Sequence, residues 1–272
     1  MKTWALIGAV ALVAAAPPAS AQIQAQVVPV KYNLTVQPGR PESRDVDITN
    51  LAAEPAVVRV RLSDWVMSDD GRLDLVPPGT TPQSIDSLVQ FEPRQFSLQP
   101  GETGRIHVTV RMPADGLPTR WGVLLSEVRP AAPRPGRFGP RAIAELGTTL
   151  YLSRVPAEEI HPQLTGMSIL PAGGDSVTLS LRLRNAGERQ LYVAGQAVIT
   201  DAAGRQVASG ALPSGVVLPG RVRYLTWKCP AGLAPGFYHA TASLDTGEPD
   251  LLVGETGFRW HLSPTIASAP GR

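Results

Sequence analysis

Cysteine, histidine and aromatic residues are scarce in this chain of 272 residues, and each scarcity closes off a class of function. Cys229 is the single cysteine and cannot form an internal disulfide, so packing and hydrogen bonds must hold the fold. The four histidines, His107, His161, His239 and His261, show no pair at metal-ligand spacing on one element, and no metal site or cofactor is expected. Charge of one sign does not predominate: 25 Lys and Arg stand against 23 Asp and Glu, which argues against a nucleic-acid or anionic-membrane partner. A Gly-x-Ser-x-Gly elbow, a phosphate-binding glycine loop and a dinucleotide fingerprint are all missing. No enzymatic activity is therefore expected.

Long apolar runs are also lacking, with one exception. Lys2 is followed by an apolar stretch from Trp4 to Ala16 and by Ala19-Ser20-Ala21, the composition of a secretory signal with cleavage before Gln22. The stretch is shorter than the roughly 20 residues that span a bilayer, so residues 1–21 read as a signal peptide and the mature chain as free of transmembrane segments.

What the chain has in excess is turn formers, 26 Gly and 27 Pro, and they punctuate short runs of alternating apolar and polar residues. One pattern occurs twice. Leu98-Gln99-Pro100-Gly101 leads into Arg105–Val110, a proline-bounded loop and Trp121–Val128. Val217-Leu218-Pro219-Gly220 leads likewise into Arg221–Leu225, a proline-bounded loop and Phe237-Tyr238. Asn50 and Asn185, each ending an earlier alternating strand, extend the repeat backwards, with about 16 more residues in the first copy, assigned to the 66–90 region.

Two sandwiches in series follow, an all-β fold of two tandem immunoglobulin-like antiparallel domains. The boundaries are 22–156 and 157–263, with a flexible tail at 264–272 and few contacts expected across the linker Ser153–Pro162. Phe91–Leu98 reads as one strand, Arg141–Leu152 as the last strand of the first domain, and Arg129–Pro140 as a basic, proline-rich loop. A helical turn is expected at Ile85–Val89. Trp65 and Trp121 are expected to be largely buried, with Trp65 filling the gap between two sheets.

The remaining polar residues read without special roles. Asp47, Asp64 and Glu127 read as outward, solvated groups. Asp69, Asp70 and Asp74 lack the closing acidic residue of an EF-hand and read as a hairpin turn. Asn33-Leu34-Thr35 fits a glycosylation sequon, and Tyr32, Tyr151, Tyr192 and Tyr238 are too scattered for a carbohydrate platform.

Residues 27–156 resemble the N-terminal immunoglobulin-like domain of the PapD-like periplasmic pilus chaperones. The likeness lies in Val46-Asp47-Ile48-Thr49-Asn50, the strand ending at Trp65, the turn Phe96–Gly101, Leu117-Pro118, and Val123–Pro130 with its ending Ser126-Glu127-Val128-Arg129-Pro130. Residues 157–263 look like a more general immunoglobulin or fibronectin III sandwich.

The resemblance implies a periplasmic, non-enzymatic assembly factor whose partner is a secreted or envelope protein, a pilin-like subunit among the candidates. It also implies strand addition on an edge strand. Here that strand would present Ala142, Ala144, Leu146, Thr148, Leu150 and Leu152 on one face. The family's cationic pair aligns with Leu34 and Thr149, so neither charge is present, and Lys31, three residues early, is the candidate cationic contact. The alternative reading is a structural or adhesive cell-surface module whose sandwiches space and present a surface.

Overall fold

The computed structural model describes residues 24–131, 143–156, 160–172, 176–229 and 232–261. The expected signal peptide at 1–21, the tail at 264–272 and most of the loop Arg129–Pro140 lie outside the described residues.

All regular structure among the described residues is β. Ten strands come from the first half of the chain: β1 (Ala25–Val28), β2 (Lys31–Val36), β3 (Glu42–Asn50), β4 (Ala56–Met67), β5 (Leu73–Val76), β6 (Val89–Glu92), β7 (Gln95–Leu98), β8 (Thr103–Val110), β9 (Thr119–Pro130) and β10 (Ala144–Arg154). Seven follow: β11 (Pro162–Pro171), β12 (Val177–Asn185), β13 (Leu191–Asp201), β14 (Gln206–Val217), β15 (Val222–Lys228), β16 (Gly236–Asp245) and β17 (Leu252–Trp260).

The first sandwich faces a sheet of order β1-β3-β8-β6 against one of order β2-β10-β9-β4-β5, with β7 also on β4. The second faces β11-β12-β15 against β14-β13-β16-β17. Alternation along each strand supplies the two cores. Val46, Ile48, Val58, Ile106, Val108, Leu124 and Leu150 lie in the first, and Leu179, Leu181, Leu183, Ile199, Leu225 and Ala240 in the second.

Several details differ from the sequence-based expectation. The first sandwich has one parallel pair, β2 beside β10, because the chain leaves the β1 sheet at Pro29 and joins the opposite one. Phe91–Leu98 is two strands, since Pro93 lacks an amide for the ladder and the chain changes sheets there. The helical turn expected at Ile85–Val89 is present as a single turn, in which the amides of Leu88 and Val89 both donate to Ile85 O.

Asp64 is not solvated. It is 1% exposed, and its carboxylate accepts from Thr80 N and Thr81 N (3.0 Å each), Thr81 Oγ1 (3.2 Å) and Ser84 Oγ (2.7 Å), tying the loop after β5 to β4.

Trp65 and Trp121 are buried as expected, but Trp65 does not fill the gap between the sheets. With Val123, Leu125 and Tyr151 the two rings form a third apolar cluster on the outer face of the β10-β9-β4 sheet, closed by Val216 and Leu218 of the second sandwich. Contacts therefore cross between the sandwiches, contrary to the expectation of few. Tyr224 N donates to Asp69 O (2.6 Å), and the Arg223 guanidinium reaches Met67 Sδ (3.9 Å) and lies against Gly71.

A fragment ending at Pro156 strips this cover from Trp65, Trp121 and Tyr151. It is expected to bind a hydrophobic dye and to melt below the full chain, as scanning fluorimetry of both would show. Equal melting temperatures and no dye signal would mean the interface adds nothing to the first sandwich.

Candidate functional site

The strand singled out in the sequence, β10, has two distinct halves. Throughout its length it pairs antiparallel with β9, from Ala144 opposite Val128 to Ser153 opposite Thr119. On its other side β2 pairs only with Thr149–Arg154. Ala144–Thr148 therefore has no paired strand on that side among the described residues.

The residues named from sequence divide accordingly. Ala142 lies outside the described residues. Leu150 and Leu152 are fully buried in the first core, between two paired neighbours, and present nothing to a partner. Ala144 and Leu146 are partly buried against the same core, at the seam where β1 and β10 face each other across the sandwich. Thr148 is buried, and its hydroxyl donates to Pro29 O at 2.7 Å.

Which backbone groups are free follows from the ladder. Thr149 N donates to Val30 O (3.0 Å), so the Thr149 amide points to the β2 side. Amides alternate edges along a strand, which sends those of Glu145 and Gly147 to the same open side and that of Thr148 to β9. The Thr148 amide thus belongs to the existing sheet, and Glu145 and Gly147 carry the groups that no strand among the described residues pairs.

The switch at Pro29 creates this edge. Val28 and Val30 on either side of the proline are 52% and 65% exposed, and Ile143, just ahead of β10, is 57% exposed. These flanking residues went unread in the sequence. The signal for them was Pro29 itself, inside an apolar run that otherwise reads as one continuous strand.

The other half of β10 leads into a cleft of about 650 Å³ between the sandwiches, lined by residues that include Asn33, Tyr151, Ser153, Gln190, Tyr192 and Thr246. Asn33 Oδ1 accepts from Tyr192 OH (2.9 Å) and Gln190 Nε2 (3.3 Å), so the sequon asparagine is engaged between the sandwiches. Tyr192 meets Tyr151 edge-on at 6.3 Å between ring centres. Burial, with a smaller effect from Tyr192, pushes the Tyr151 hydroxyl well above its ordinary range, leaving a neutral phenol.

Lys31 stands beside Thr149 in the β2–β10 ladder, with its ammonium 4.0 Å from the centre of the Tyr192 ring. Leu34 and Thr149, the aligned positions of the family's cationic pair, are both neutral, and Leu34 is buried. Among the described residues no group of three or more His, Cys, Asp or Glu is placed to hold a metal ion, and no helix is long and apolar enough to cross a membrane.

No protein-family model matches the chain, and no curated protein matches it in sequence. Solved structures do match. The YadV chaperone is 13% identical, with 86% of this chain and 99% of that chain covered and a TM-score of 0.44. The class 5 fimbriae chaperone CfaA is 10% identical, with 85% and 98% covered and a TM-score of 0.45. A chain from the Salmonella enterica complex of SafA pilin with the SafB chaperone is 13% identical, with 90% and 99% covered and a TM-score of 0.42. In structure, this chain of two immunoglobulin-like sandwiches is similar to the PapD-like fimbrial chaperones.

Proposed function

We propose that this protein is an exported, non-enzymatic chaperone of the periplasm that shields a pilus or other envelope subunit by accepting one of its strands on the free edge of β10. In this reading residues 1–21 are a cleaved signal, 22–156 the client-binding domain, 157–263 the second domain and 264–272 a tail. Lys31, whose ammonium lies over the Tyr192 ring, supplies the cationic contact, and no cofactor is called for.

The observation that carries the reading is the edge at Ala144–Thr148, which no strand among the described residues pairs. Proteins blunt exposed edges with prolines, bulges, charge or very short strands. Edge strand β11 begins and ends in Pro162 and Pro171 and is bulged between Leu164 and Gly166, and β5 has only four residues. The open half of β10 has no proline or lysine. Its one charge, Glu145, is turned across the sheet to Arg61 (2.5 Å). A client strand laid there gains main-chain hydrogen bonds from Glu145 and Gly147 and covers Ala144, Leu146 and the exposed Val28, Val30 and Ile143.

The test is coexpression, with export, of a pilin-like immunoglobulin subunit lacking its last strand, followed by size-exclusion chromatography. The wild type is expected to give a stable complex. Glu145→Pro removes a free-side amide and an exposed ion pair, so the protein should fold while binding at least about tenfold more weakly. Thr148→Pro removes an amide of the β9 ladder and should unfold the first sandwich. A folded Glu145→Pro protein that binds the subunit undiminished would sink strand addition at this edge and favour the spacer or adhesive module.

A further inference from the structure

Seven buried side-chain nitrogen or oxygen atoms of the described residues have no hydrogen-bond partner among the protein's own atoms: Trp65 Nε1, Trp121 Nε1, Gln190 Oε1, Arg223 Nε, Thr246 Oγ1, Arg120 Nε and Trp260 Nε1. The first five are not scattered. Trp65 and Trp121 sit in the cluster closed by Val216 and Leu218, Gln190 bonds Asn33 across the gap, Arg223 packs against Gly71, and Thr246 lines the cleft. Orphaned polar atoms are rare in protein interiors because each forfeits its bonds to water, so five at one junction mark it as a place where closure is opposed.

We infer that the junction between the sandwiches is a poised joint. The apolar contact of Trp65, Trp121 and Tyr151 with Val216 and Leu218 holds it shut, and the hydration of the five polar atoms favours its opening. An open joint would bare a continuous aromatic surface made of Trp65, Trp121 and Tyr151, which stand 6.0–6.1 Å apart between ring centres around Trp65. Two elements of the closed state depend on close fit and would part together. Arg223 is confined between Gly71 and Gly215 and donates to Val216 O at 2.7 Å, and Tyr224 N reaches Asp69 O at 2.6 Å. The joint is independent of whether any client strand binds to β10.

The test replaces an orphaned group by an apolar one of the same shape. Thr246 is 2% exposed, and in the full-length chain Thr246→Val removes a hydroxyl that has no protein partner while the joint is closed. Amide exchange at residues 216–218 and acrylamide quenching of tryptophan report the opening. The variant is expected to slow exchange there by about fivefold and to raise the melting temperature, an inversion of the usual penalty for altering buried residues. In the opposite sense, Val216→Thr places a new hydroxyl in the closed cluster and should speed exchange at the same amides by about tenfold. Unchanged or faster exchange in Thr246→Val, or a fall in its melting temperature, would show that the hydroxyl is satisfied in the closed state and would overturn the joint. If Thr246→Val fails to fold, exchange in Val216→Thr decides: no acceleration overturns it.

Discussion

Asn185→Ala is expected to lower the stability of the second sandwich by about 3–5 kcal/mol, and Asn50→Ala that of the first by a similar amount. Asn185 is fully buried, and its amide nitrogen donates to Arg189 O (2.8 Å) and Val217 O (3.0 Å), while its Oδ1 accepts from Gly187 N (3.0 Å). Asn50 repeats the arrangement, donating to Glu54 O (2.8 Å) and Leu98 O (3.3 Å) and accepting from Ala52 N (3.1 Å).

Each asparagine also fixes the proline-glycine turn through its backbone, since Gly220 N donates to Asn185 O and Gly101 N to Asn50 O. Alanine takes away the donor to two carbonyls and the acceptor of an amide at the point where one turn is stitched to another. Water can reach some of them after local fraying, which keeps the cost below the sum of three fully buried losses. Calorimetry should show a fall in melting temperature of roughly 10 °C for either variant. A shift of a degree or two would mean that these turns hold without their side-chain staple.

That pair of asparagines was legible in the sequence because its chemistry is local. An asparagine ending an alternating strand, followed at a distance by Pro-Gly, carries its own turn geometry wherever the chain takes it, and the structure uses both copies alike. Alternation likewise revealed the faces of β3, β8 and β12, where the partner sheet lies on one side only. The failures share a different cause. Trp65 reads as a core anchor because its size says that it will be buried, but size does not say under which surface, and its cover comes from Val216 and Leu218, some 150 residues away in the chain.

The division of β10 into a paired and an open half was equally out of reach. It depends on where β2 stops running alongside, and that is set by the sheet switch at Pro29, more than 100 residues earlier. For the same reason alternation placed Leu150 and Leu152 on a face offered to a partner, when the parallel neighbour had already closed over that half. The local pattern is identical along the strand, and only the missing neighbour at Ala144–Thr148 makes one half a site.

Asp64→Ala is expected to be the most damaging exchange of a charged residue in the chain, at about 3–5 kcal/mol, whereas Asp47→Ala should cost under about 1 kcal/mol. Both carboxylates read alike in sequence, but Asp47 meets Arg105 (2.8 Å) on an exposed sheet face, while Asp64 is sealed beneath the loop it organises. Two amides and two hydroxyls converge on its oxygens, and charge-assisted bonds of this kind are about twice as strong as neutral ones. Their loss frees the loop that carries Ile85, which is 1% exposed and packs so closely over Gly122 that a Cβ there would stand 2.6 Å from Ile85 Cγ1. Release of the loop therefore uncovers the middle of β9 as well. Asp64→Asn keeps one acceptor oxygen and should fall between the wild type and alanine. Thermal unfolding ranks the three, and amide exchange at Thr80 and Thr81 locates the damage: protection that survives in Asp64→Ala would show that the loop is held by Ile85 and not by the carboxylate.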